Sequence, residues 1–254
     1  MPTVETAKNS STWQAGMLRV TAFASAFDVA TVDTWWETVV GAPAESKTVK
    51  MKGASQTIEG KFGKGRLTLN VELNRIDWLY GPDPDFERDD FPNIGTYADA
   101  TTELNSRITT WIQTAPPIIR LAWGGVFLFP VESKVNSYEI LAAHLPSLKL
   151  DSVGSSELLY QINRPRNSNV LEGLVINRLQ KWSSLRIQRI HLQIAPGNQT
   201  VSNANAPGVD ACRLELDVNS SGERVDPLPA ESVSKLYAEL TGFSDEIISR
   251  GDIP

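Results

Sequence analysis

The chain has 254 residues, 41% of them hydrophobic and 21% charged, with a formal net charge of −6. This composition excludes a disordered or fibrous chain and fits one large domain or two intimately packed halves. The acidic total argues against a duplex-binding protein with a generally basic surface, and the single cysteine, Cys212, rules out a disulfide framework within one chain and points to a reducing compartment.

Residues 1–12 are polar and read as a flexible leader, without the basic and apolar regions of a secretory signal. "GMLRVTAFASAF" follows as a strand of alternating apolar residues. In "DVATVDTWWETVVG" the residues Val32, Trp35, Trp36, Val39 and Val40 share one helical face, with Asp28 or Asp33 as a cap and Gly41 as the stop. The glycines of "GKFGKG" (Gly60, Gly63, Gly65) lie between two β-prone runs and lead into "RLTLNVELNRIDWLY". A phosphate loop needs a strand before and a helix after, so a hairpin turn is the expected structure here.

"YGPDPDFERDDFPN" is a polar loop carrying Asp83, Asp85, Glu87, Asp89 and Asp90 against Arg88. It lacks the spaced oxygen ligands of a calcium loop. "TYADATTELNSRITTWIQTAPP" predicts a helix with Ala100, Leu104, Ile108, Trp111 and Ile112 as its apolar stripe, ended by Pro116-Pro117. Downstream come a strand, "IIRLAWGGVFLF", and a short helix, "SKVNSYEILAAHLP". Then follow extended segments through "YQINRPRNSN", an amphipathic "LEGLVINRLQKW", and a strand, "LRIQRIHLQI". A polar connector, a strand containing "CRLELDV" and a closing helix complete the chain. The longest apolar run, 121–131, is far shorter than the roughly 20 residues of a membrane-spanning helix, so a cytoplasmic protein without a membrane partner is expected.

Two pairs of runs echo one another: those starting at Arg19 and Arg120, and those starting at Arg66 and Arg213. Their order predicts an α+β fold of two fused, diverged β-α-β-β-α units, with antiparallel sheets packed on long helices. The units would span residues 13–116 and 117–254, tightly packed on each other. Seven tryptophans predict a large core between sheet and helix.

The runs "RLTLNVELNRIDWLY", "ELNSRITTW" and "PIIRLAWGGVFLFP", with "ELLYQINRPRNS" and the closing "KLYAELTGFSDEIISRG", resemble a sporadically distributed prokaryotic protein family of unknown function, of similar length. In that family the mid-chain strand tends to end in a tyrosine-asparagine pair, whereas here it reads "GVFLFP". The resemblance implies a fold and a prokaryotic setting. It brings no catalytic residues.

Chemistry is sparse. His144 and His191 have no ligand-spaced partners, and no G-x-S-x-G elbow occurs. Cys212 reads as a small buried hydrophobe. The best enzymatic reading is a metal-dependent nuclease using Glu132, beside Lys134, and the distant Asp83; surface charge is the commoner explanation for both carboxylates. No cofactor is implied.

The sharpest signal is charge. Between Arg164 and His191 the cations Arg164, Arg166, Arg178, Lys181, Arg186 and Arg189 face the single acid Glu172, with Trp182 interleaved. Arginines with an exposed aromatic suit a single-stranded nucleic acid. The same residues also read as the solvated face of amphipathic elements, or as one side of an interface steered by the acidic loop 83–90. The expected function is a non-catalytic binding or assembly protein of prokaryotic cytoplasm, acting on a protein partner or on itself. The alternative is a nucleic-acid-binding protein that uses segment 164–189.

Overall fold

A computed structural model describes residues 12–50, 55–84, 91–187, 191–195, 198–202 and 208–253. The first strand, β1 (Gln14–Ala24), leads through a 3-10 turn (Val29–Thr31) into α1 (Val32–Val40). Four strands follow: β2 (Ser46–Lys50), β3 (Ser55–Phe62), β4 (Gly65–Glu72) and β5 (Arg75–Gly81). Next come α2 (Tyr97–Ile112), β6 (Ile118–Val131) and α3 (Lys134–His144). The remaining strands are β7 (Leu159–Asn163), β8 (Arg166–Asn167), β9 (Val175–Ile187), β10 (His191–Ala195), β11 (Asn198–Ser202) and β12 (Val209–Ser220), and α4 (Ala230–Arg250) closes the fold.

Local chemistry explains the boundaries. Gly41 adopts φ 72°, the left-handed conformation that ends α1. Thr96 Oγ1 accepts from the Asp99 N–H and starts α2, and Ser133 Oγ accepts from the Asn136 N–H to start α3. Gly63, at φ 53°, turns the chain tightly between β3 and β4, so the glycine-rich run is a hairpin, flanked by strands on both sides.

The expected pair of β-α-β-β-α units, each with a sheet packed on long helices, does not form. Strands from both parts of the chain merge into one antiparallel ten-stranded sheet in the order β2-β3-β4-β5-β1-β6-β12-β9-β7, with β8 on β9. Strand residues clearly outnumber helix residues among those described. The merger has a physical cause. β1 and β6 are both long, and a half-built sheet would leave either as an unpaired edge. They pair with each other at the middle of the sheet, from Gln14↔Leu128 to Ala24↔Ile118. β10 and β11 form a separate two-stranded ribbon.

The four helices of the described residues lie on one face, set by side-chain alternation. One cross-strand row on that face runs Trp78, Val20, Trp123, Val218 and Arg178, every member fully buried. Trp36 stacks on Trp78 at 6.5 Å, and Trp111 from α2 meets Trp78 edge-on at 5.6 Å. Further along the sheet, Trp13 packs on Trp182 at 5.9 Å, beside His144. All seven tryptophans are buried. No helix in the described residues is long and apolar enough to cross a membrane.

Candidate functional site

The stretch "YQINRPRNSN" lies along β7 and β8 at one margin of the sheet and turns Tyr160, Arg164, Arg166, Ser168 and Asn169 toward α4 and the turn that follows it. Arg164 donates from Nε and Nη2 to the two oxygens of Asp252, at 3.0 and 2.9 Å, a bidentate pair. The Tyr160 hydroxyl (2.7 Å) and Gln180 Nε2 (3.1 Å) donate to the same carboxylate, and Trp182 Nε1 donates to Gln180 at 2.9 Å. Asp252 is fully buried, and the Arg164 hydrogen bonds hold its carboxyl below the usual aspartate range. Arg166 and Arg178 both donate to Glu246, at 2.8 and 3.3 Å, and both guanidiniums sit on the Phe243 ring. The Ser168 hydroxyl (2.5 Å) and the Asn169 backbone N–H (2.6 Å) donate to Glu239. The anionic partner of this stretch is therefore the protein's own last helix and the residue just beyond it.

Arg178 is the unusual member. It occupies a core-face position of β9, and its side chain is completely buried. Burial, then the neighbouring Arg166, pulls its guanidinium below the ordinary arginine value. Its Nε and Nη1 have no hydrogen-bond partner among the described residues.

The structure disperses the remaining candidates. Trp182 is buried in the core. Lys181 points from the opposite face of β9 and pairs with Glu215 at 3.0 Å. Arg186, half exposed near the far end of β9, lies 3.8 Å from Asp210. Arg189 falls outside the described residues, as do Asp85, Glu87, Arg88, Asp89 and Asp90 of the acidic loop. Asp83 pairs with Arg66 at 3.5 Å, and Glu132 is exposed just beyond β6. Among the described residues no group of three or more His, Cys, Asp or Glu is placed to hold a metal ion. Cys212 is buried beside Ser137, and desolvation pushes its thiol up to about 11, so little thiolate forms near neutrality.

The second constellation is the sheet face that carries no helix among the described residues. One row there runs Leu79, Arg19, Gly124, Asp217, Leu179 and Asn163. Arg19 reaches Asp217 at 3.0 Å, across an intervening strand. It does so because Gly124 presents no side chain between them. A Cβ on Gly124 would collide with the Leu216 carbonyl, and one on Gly125 with the Met17 carbonyl, so β6 takes a course here that only glycine permits. The result is a depression of about 370 Å³, lined by Met17, Val126 and Leu179 between the ion pairs Arg19–Asp217 and Lys181–Glu215.

Hydrogen bonds knit the rest of this face: Thr57 to Asn70 (2.9 Å), Asn177 to Asn219 (3.2 Å), Arg120 to Asn219 (2.8 Å) and Asn163 to Asn177 (3.0 Å). Asp77, also on this face, holds Thr21 and Arg75. These groups are tethered to one another, cations beside anions. The sequence signal for this face is the polar member of each alternating strand, as in Arg213-x-Glu215-x-Asp217-x-Asn219.

The chain matches no family model, no curated protein and no solved structure.

Proposed function

We propose that the protein is a non-catalytic binding or assembly protein whose contact surface is the helix-free face of the sheet, and that the occupant of that face is a second copy of the same chain. The observation that supports this reading is the half-buried ladder of paired charges and amides around the Gly124–Gly125 depression. An isologous contact requires a patch that complements itself, and a surface carrying cations and anions side by side meets that requirement. The extent is sufficient as well. Nine strands in line, at roughly 4.8 Å spacing and about 3.3 Å per residue, give a face on the order of 1,000 Å². A standard interface buries about 800 Å² per partner.

Light scattering coupled to size exclusion tests it. A mass near twice the 27.9 kDa of the chain is expected. Leu179→Glu, which places a carboxylate in the depression, is expected to give monomer without lowering the melting temperature. A wild-type monomer at 100 µM, or a Leu179→Glu dimer, would reject self-association through this face. The alternative, nucleic-acid binding with nuclease chemistry through segment 164–189, finds less support. Arg164, Arg166 and Arg178 are directed at Asp252 and Glu246, and Trp182 is buried. Retention of a labelled single strand at low salt, lost steeply as salt rises, would restore it.

A further inference from the structure

Away from the depression and from the α4 contacts, a smaller cavity of about 250 Å³ opens between the start of α3, the end of β9 and the start of β12. Its polar lining includes Lys134, Tyr138, Glu157, Ser184, Arg186 and Asp210, with Ser156 beside them. The side chain of Asp210 is only 9% exposed, yet it makes no hydrogen bond with any described residue. Among the described residues the nearest cation is Arg186, at 3.8 Å on a side chain that is 53% exposed. A carboxylate so buried is costly without a close partner. Glu157 adopts φ 58°, a left-handed conformation that is uncommon for a residue with a side chain. The Tyr138 hydroxyl accepts from the Leu158 N–H at 3.2 Å, and the Ser184 hydroxyl accepts from Ser137 at 2.9 Å; the proton of each is left without a described acceptor.

We propose that this cavity binds a small zwitterion of the α-amino-acid type, whose ammonium group takes Asp210 and whose carboxylate takes Lys134, with the Tyr138 and Ser184 hydroxyls as neutral donors. The charges select this chemistry. A simple anion would meet the buried carboxylate of Asp210. A metal ion would meet Lys134 and Arg186, and no three-ligand group exists among the described residues. A zwitterion satisfies both signs at once. The volume, below the roughly 300–1,000 Å³ of larger ligand pockets, fits a small metabolite.

The test is saturation-transfer NMR with an equimolar mixture of the common amino acids. Calorimetry then follows on those that respond, alongside their N-acetyl and carboxamide forms. At least one free amino acid is expected to bind. Either capping is expected to weaken it about tenfold or more, as are Asp210→Asn and Lys134→Met separately. Lys134 is exposed, so its variant keeps the test open if Asp210→Asn lowers the melting temperature. A mixture that shows no transfer, capped forms that bind equally well, or variants that bind like wild type would overturn the proposal.

Discussion

Asp252 illustrates how a single residue holds a fold together from a place no local rule would single out. It lies just beyond α4, and its partner Arg164 is 88 residues earlier in the chain. Its carboxyl is held low by Arg164 first and by Tyr160 as well. The sign of the pH effect follows from that direction. A group whose folded pKa is depressed adds stability that is present above its unfolded value, near ~3.9, and is lost as pH falls through the folded value. Urea midpoints followed by tryptophan fluorescence should therefore fall as pH drops below about 4. Asp252→Asn should lower the midpoint at pH 7 and flatten that acid limb. An acid limb identical in the two proteins would show that this pair does not couple α4 to the sheet. Arg178 makes the complementary point about legibility. In the sequence it is one more cation in a basic run, and a helical or surface reading turns it outward. Its register beside Val218 turns it inward, and register is a property of pairing that a single strand does not contain.

At the scale of elements, legibility followed locality. α1 with its glycine stop, the β3–β4 hairpin and the apolar stripe of α2 all rest on signals within a few residues, and all three form. The amphipathic "LEGLVINRLQKW" instead contributes to β9, a strand held on one side by β12 and on the other by β7. Those partners lie tens of residues away on one side and close by on the other, so apolar spacing alone leaves helix and strand open. Within β6, Gly124 and Gly125 carry the shape of the helix-free face. Gly125→Ala pushes a methyl group toward the Met17 carbonyl and the Phe127 ring. Because backbone rather than a flexible side chain stands in the way, β1 or β6 must shift. A cost of roughly 1–3 kcal/mol is expected, as for overpacked interiors, measured as a loss in urea-unfolding free energy. A variant as stable as wild type would mean that the crease at this point is not needed.

For the molecule as a whole, the central β1–β6 ladder decides how stability is shared. Two units with separate sheets would each own a core and could unfold one at a time. Here one contiguous apolar cluster runs from Ile58 and Leu69 on the β3–β4 flank to Trp182 and Leu214 on the other. Trp13, ahead of β1, packs on Trp182 of β9. The Tyr237 hydroxyl of α4 hydrogen-bonds to Asn105 of α2, tying together helices from both parts of the chain. Neither flank can lose its helices without uncovering strands of the other. Unfolding in urea should then be a single transition, with far-ultraviolet circular dichroism and tryptophan fluorescence giving the same midpoint. Trp78→Ala, at one end of the core row that crosses the sheet, should lower the unfolding free energy by about 3–5 kcal/mol. It should move both signals together, although Trp78 lies on β5 and six of the seven tryptophans lie elsewhere. Two resolved transitions, or a Trp78→Ala shift confined to one of them, would mean that the flanks are thermodynamically separate and that the shared ladder is a seam.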